Sequence, residues 1–141
     1  MRSLLILLTT VLIFMAELAP NTTMAHGNDN KNRRQLLLKE TLTNVPGHNL
    51  TAITVELAPG NVSPAHEHNG FVFVYVLSGK VRSQLGNAQA VDYVTGDSWV
   101  EPPGVVHTLT QNLSDKEVAK LLAVFVHKSG SKLTTSGEIE Q

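Results

Sequence analysis

An all-β fold is predicted by three observations. Apolar residues alternate with polar ones at period two in several short runs. Turn signals rich in Gly, Pro and Asn separate these runs at fairly even spacing. No stretch keeps a helical period over three turns.

The strands follow in order. Gln35-Leu36-Leu37-Leu38 is a first strand, and the polar residues 26–34 before it read as flexible. Leu50 to Leu57 puts Ala52 and Thr54 on one face and Ile53, Val55 and Leu57 on the other. Ala58-Pro59-Gly60 breaks it. Phe71 to Leu77 is aromatic and aliphatic throughout, so it is expected to be buried on both faces. Ser78-Gly79 turns the chain into Val81 to Leu85, and Gly86-Asn87 turns it again. Ala90 to Val94 is short and stops at Gly96-Asp97. Trp99 and Val100 precede Pro102-Pro103-Gly104. Val106 to Thr110 leads into a polar turn, Asn112 to Lys116. Lys120 to His127 is expected as the last strand, with a loose polar tail from Ser129. Gly60, Gly79, Gly96 and Gly104 are assigned to turns with unusual dihedrals.

Composition narrows the chemistry. The 141 residues suit one domain, and 42% hydrophobic with 16% charged residues is globular composition. A formal net charge of −1 gives no basic field for nucleic acid. With no cysteine, disulfides, thiolate catalysis and cysteine-ligated metals are excluded. Six histidines direct metal chemistry to imidazole and oxygen ligands.

The chain opens like a secretory signal peptide: Arg2, the apolar run Leu4 to Met15, then Thr23-Met24-Ala25 as the cleavage signal. The apolar run is shorter than the roughly 20 residues that span a bilayer. An uncleaved anchor is the alternative, disfavoured by Glu17 and the small residues. The mature chain would start at His26-Gly27 and sit in the periplasm or outside the cell, without a stable membrane anchor. A copper-chelating amino-terminal histidine is conceivable there, but the polar residues 28–32 would not pack a rigid site. The expected divisions are a signal peptide (1–25), an N-terminal segment with the first strand (26–46), a barrel (47–128) and a polar tail (129–141).

His66 and His68 are the most informative pair. Two apart on a strand, their imidazoles point the same way. His107, entering a later strand after a Pro-x-Gly turn, is the candidate third ligand. Three imidazoles hold a metal and leave positions open for water or substrate. Solvent-facing polar residues are the bland alternative.

These residues resemble the two motifs of the cupin superfamily. Gly60, five residues, His66-Glu67-His68, Val72 and Gly79 follow the first motif, except that Val72 stands where glutamate is expected. Gly96, five residues, Pro102-Pro103-Gly104, two residues and His107 follow the second, with Gln111 where asparagine is expected and Asn112 one residue late. The resemblance spans roughly residues 47–128. It implies a double-stranded β-helix of the jelly-roll kind, which often pairs into homodimers. It implies one divalent ion (Fe, Mn, Zn, Ni or Cu) on His66, His68 and His107, with a small organic ligand at the open positions. Oxygenation, isomerisation and decarboxylation all occur in the family, as do members that have lost activity, so turnover and mere binding both stay open. Without a carboxylate at 72, the ion keeps its full double charge and is a stronger Lewis acid.

Other residues are weighed on position. Glu101, just before the Pro-x-Gly turn, is a candidate acid, base or partner of the ligands, or a solvent-facing charge. Glu67 should point away from the metal, while Val72 keeps the parity of the ligands and lies near it. Trp99, Phe71, Phe73 and Tyr75 suit a pocket wall or packing between sheets or subunits, the last two on the face opposite the metal. His48 and His127 match no motif position and read as exposed.

Overall fold

The computed structural model describes residues 32–136. The expected signal peptide, His26 and the last residues of the tail lie outside this range. Eleven strands follow one another, with no helix among the described residues: β1 (Arg33–Thr41), β2 (His48–Leu57), β3 (Val62–Ser63), β4 (His66–His68), β5 (Gly70–Ser78), β6 (Lys80–Leu85), β7 (Val91–Val94), β8 (Ser98–Glu101), β9 (Val106–Asn112), β10 (Ala119–Lys128) and β11 (Thr134–Ser136). They form two antiparallel sheets. One runs β1-β2-β10-β5-β8 and the other β11-β4-β9-β6-β7, with β3 also against β9. This is a jelly-roll sandwich, as expected.

The core lies between the sheets. Val72, Val74 and Val76 of β5, Leu121, Ala123 and Phe125 of β10, and Leu57 of β2 bury alternate side chains from the first sheet, and Val81 of β6 meets them. Each fully buried side chain of this kind stabilises by about 1.5–3 kcal/mol. The chain crosses between sheets at Gly79, where φ is +88° and a Cβ would stand 2.9 Å from Ala119, so only glycine turns there without strain.

Four expectations are corrected. First, β5 is not buried on both faces. Phe71 is 42% exposed and Phe73 37%. Apolar residues on both faces do not create a second covering layer, and no described residue packs over the outer face. Residues paired in a ladder share a face. Leu38, Ala52, Val124, Phe73 and Val100 therefore make one apolar row across all five strands of the first sheet. Second, β1 begins at Arg33, so Arg33 and Arg34 belong to a strand. Backbone pairing with β2 forms this exposed edge strand, and no side-chain pattern announces it. Third, the tail is not loose throughout, because Thr134 to Ser136 pairs with β4 as β11. Fourth, Asn112, expected in a polar turn, and His127, expected to be exposed, are both buried. Asn112 ends β9 and is 1% exposed. His127 is 4% exposed. Its Nδ1–H donates to the Lys128 carbonyl at 3.0 Å, and its Nε2 accepts from the Thr51 hydroxyl at 2.9 Å. Gly70 clears the space beside it, since a Cβ there would come 2.7 Å from the His127 Cβ.

Candidate metal centre

The site is assembled where β4 meets β9. Period two puts His66 and His68 on one side of the three-residue β4. The β4–β9 register sets His107 directly opposite His66. One nitrogen from each ring lies within 4.8 Å of the others. The His66 ring centroid is 4.9 Å from that of His68 and 5.1 Å from that of His107. His68 and His107 are buried, and His66 is half-buried at the mouth.

Carbonyls fix two of the imidazoles. His66 Nδ1–H donates to the Pro64 carbonyl at 2.8 Å, and His68 Nδ1–H to the Leu133 carbonyl at 2.9 Å. A carbonyl can only accept, so both neutral rings carry their proton on Nδ1 and leave the Nε2 lone pair free. This is how metal-ligating histidines are held in general. His107 Nε2 lies 2.8 Å from the Ser83 hydroxyl and 3.0 Å from that of Thr110. Burial holds the pKa of His66 below 6.5, assisted by charge on His107 and His68 and opposed by the Pro64 bond.

Glu101 does not face solvent. It is 2% exposed, with Oε1 3.1 Å from His107 Nδ1 and Oε2 3.2 Å from His68 Nε2. Trp99 Nε1–H donates to Oε1 at 2.9 Å. Oε2 is buried with no hydrogen-bond partner. Burial alone would raise the Glu101 pKa, yet the contacts with His107 and His68 outweigh it and hold the carboxyl well below its usual range.

The structure gathers His66, His68, His107, Glu101, Val72 and Trp99 around one cavity, whose far wall is apolar and includes Val74, Leu121 and Phe125. Glu67 points away and accepts from Thr135 Oγ1 at 3.2 Å. His48 sits beside the Pro46 carbonyl and does not line the cavity, and His127 is buried elsewhere. Phe71, Phe73 and Tyr75 share the outer face. Three contributors escaped the sequence reading. Leu133 acts through its backbone and leaves no side-chain signal. Ser83 could have been found by parity with Val81 and Leu85 only once the β6–β9 register was known. Arg34 lines the cavity from an edge strand without a pattern.

A second, open hollow adjoins His66 and is lined by Arg34, Ser63, Lys132, Thr134, Thr135 and Ser136 among others. Two cationic side chains thus stand at the rim, and no carboxylate lines this hollow among the described residues.

Several solved structures share this fold. A cupin superfamily protein from Desulfitobacterium hafniense superposes with a TM-score of 0.58 at 16% identity, over 70% of this chain and 80% of the other. A conserved protein with a double-stranded β-helix domain from Klebsiella pneumoniae gives 0.61 at 21%, over 78% and 87%. An oxalate decarboxylase variant from Bacillus subtilis gives 0.58 at 26% over 77% of this chain, which spans 30% of that longer one. No curated protein is similar enough to count as a match. The family profile described as Cupin domain matches residues 53–125, more than half of the sequence. Those residues run from β2 through the histidine cluster to β10, and by them this chain belongs to the cupin-domain family.

Proposed function

We propose that the protein is an exported, metal-dependent cupin that holds one divalent first-row ion on His66, His68 and His107 and acts on a small anionic organic ligand. The observation that carries this reading is the convergence of imidazole nitrogens, two of them with lone pairs freed by carbonyl-bound Nδ1–H groups. The buried, unpartnered Glu101 Oε2 fits the same group, because a buried ionised carboxylate needs a compensating cation. Bound there, a metal would act as a Lewis acid toward a ligand or dioxygen. Arg34 and Lys132 at the rim favour an anion, and the apolar wall limits water around it. Oxygenation, isomerisation and decarboxylation are the reaction classes in view. Similarity to an oxalate decarboxylase supports a carboxylate ligand. Export to the periplasm or beyond rests on residues 1–25 alone. A homodimer is supported by the apolar outer row centred on Phe73.

One observation favours a second reading, a binding module without turnover. Glu101 is the one carboxylate lining the cavity among the described residues, and both its oxygens face the cluster. Proton transfer then lacks a free group.

Elemental analysis of protein purified without a metal-binding tag or chelator tests the reading, beside a His66→Ala, His68→Ala double variant. About one metal per chain in the wild type and none in the variant is expected. A wild type that stays metal-free after incubation with iron, manganese, zinc, nickel and copper overturns it. Turnover of small carboxylic acids by the loaded protein, with a raised KM in Arg34→Gln, separates enzyme from binding module.

A further inference from the structure

The position four residues after His68, where the family pattern has glutamate, is Val72. The β5–β8 register pairs Val72 directly with Glu101. Residues opposite each other in an antiparallel ladder project from the same face, with Cβ atoms about 5 Å apart. Glu101 therefore enters the cavity that a glutamate at 72 would enter, from the neighbouring strand. Val72 is 1% exposed and occupies the vacated place as an apolar filler.

The contacts of Glu101 are those of a ligand awaiting an ion. Oε1 is steadied by Trp99 Nε1–H. Oε2 has no hydrogen bond and faces His68 Nε2 at 3.2 Å. His68 Nδ1 is engaged by the Leu133 carbonyl, so Nε2 is the nitrogen it turns toward Glu101. Two potential ligand atoms thus stand 3.2 Å apart in a buried space, a separation at which one ion can touch both. A metal bound to both would also supply the partner that Oε2 lacks.

We propose that Glu101 is the acidic ligand of the metal centre, its carboxylate transferred across the strand pair from position 72 to position 101. The centre would then be three histidines and one carboxylate, and would carry one net positive charge with a divalent ion. This replaces the expectation that the ion keeps its full double charge. The inference rests on the proposed three-histidine site.

Three proteins test it: the wild type, Glu101→Gln, and Glu101→Gln combined with Val72→Glu. The measurements are Mn²⁺ and Zn²⁺ affinity by chelator competition, thermal unfolding of the metal-free forms, and the infrared difference spectrum on adding metal. Glu101→Gln keeps the size and an acceptor for Trp99 but loses the charge. It should bind metal about 10–100-fold more weakly, the range for lost support at metal sites, while its metal-free form stays folded. The added glutamate at 72 should restore affinity to within about threefold. Metal should shift a carboxylate stretching band in the wild type that is missing in Glu101→Gln. Equal affinity in wild type and Glu101→Gln overturns this inference and leaves the histidine site standing. So does a wild-type spectrum without a shifted carboxylate band, which decides the matter even if the variants fail to fold. A wild type that binds no metal overturns the three-histidine reading first and this one with it.

Discussion

Removing residues 132–141 should weaken metal binding while leaving the chain folded. The deletion takes away the Leu133 carbonyl that receives His68 Nδ1–H at 2.9 Å, together with β11. It spares Ser131, whose hydroxyl lies 3.2 Å from His127 Nδ1. The His68 bond is worth about 1 kcal/mol net, and the Asn69, Thr135 and β11–β4 bonds that go with it lie near the surface and add about 1–2 kcal/mol. Leu133 packs only partly against the core and adds about 1 kcal/mol more. A domain stable by about 5–15 kcal/mol survives that. His68, however, loses the partner that keeps its proton on Nδ1, and its N–H can then turn to the cavity. Loss of such a partner lowers metal affinity about 10–100-fold, or about 1.4–2.7 kcal/mol. Chelator competition with Zn²⁺ reads this directly, with circular dichroism as the check on folding. Leu133→Ala keeps the carbonyl and should stay within about threefold of wild type. Undiminished affinity in a folded truncated chain would refute the reasoning, and so would a Leu133→Ala loss as large as the truncation's.

Three further outcomes are expected. The metal-free protein should lose thermal stability as pH falls below 6.5, because the unfolded state protonates His66 there while the folded state, with its lowered pKa, does not. Glu101 adds a loss of the same sign as pH falls below 4.5, since its folded pKa lies below its unfolded one; a melting temperature that rises from pH 6.5 to 5 contradicts the first effect, and one that rises as pH falls further below 4.5 contradicts the second. Asn112→Ala removes donation to the Leu57, Ala58 and Glu117 carbonyls at 3.0, 3.2 and 2.8 Å and acceptance from Ser114 N–H at 3.0 Å, so urea unfolding should show about 2–4 kcal/mol of destabilisation, and under 1 kcal/mol would refute it. Phe73→Asp puts a charge in the middle of the apolar row and should convert a dimer to a monomer by light scattering, whereas a wild type already monomeric at high concentration refutes the dimer.

The sequence makes some of this site legible and hides the rest for definite reasons. His66 and His68 declare themselves by period two, since parity is a local property. That His107 stands opposite His66 is a matter of register, which depends on pairing between distant segments. Glu101 carried a usable signal. Trp99 and Glu101 share parity within Ser98-Trp99-Val100-Glu101, so an inward tryptophan brings the carboxylate inward too. His127 carried a similar one, standing in the series Ala119, Leu121, Ala123 and Phe125 of buried β10 positions. Proximity to a strand end masked it. Phe71 to Leu77 misled in the opposite sense, because residue type reports preference for burial while burial itself needs a neighbour to supply it. Leu133 was invisible, since any residue there offers the same carbonyl.

The position of β11 bears on when the site becomes competent. It lies after every proposed ligand in the chain, and it closes the open side of β4. A chain emerging from its N-terminus has His66, His68 and His107 available before the segment that sets the His68 proton. On the proposed metal reading, capture at full affinity would therefore be the closing event of folding. If the proposed export holds and the chain leaves the cytoplasm unfolded, that event would take place after transport, and the ion supply of the receiving compartment would determine which metal the protein carries.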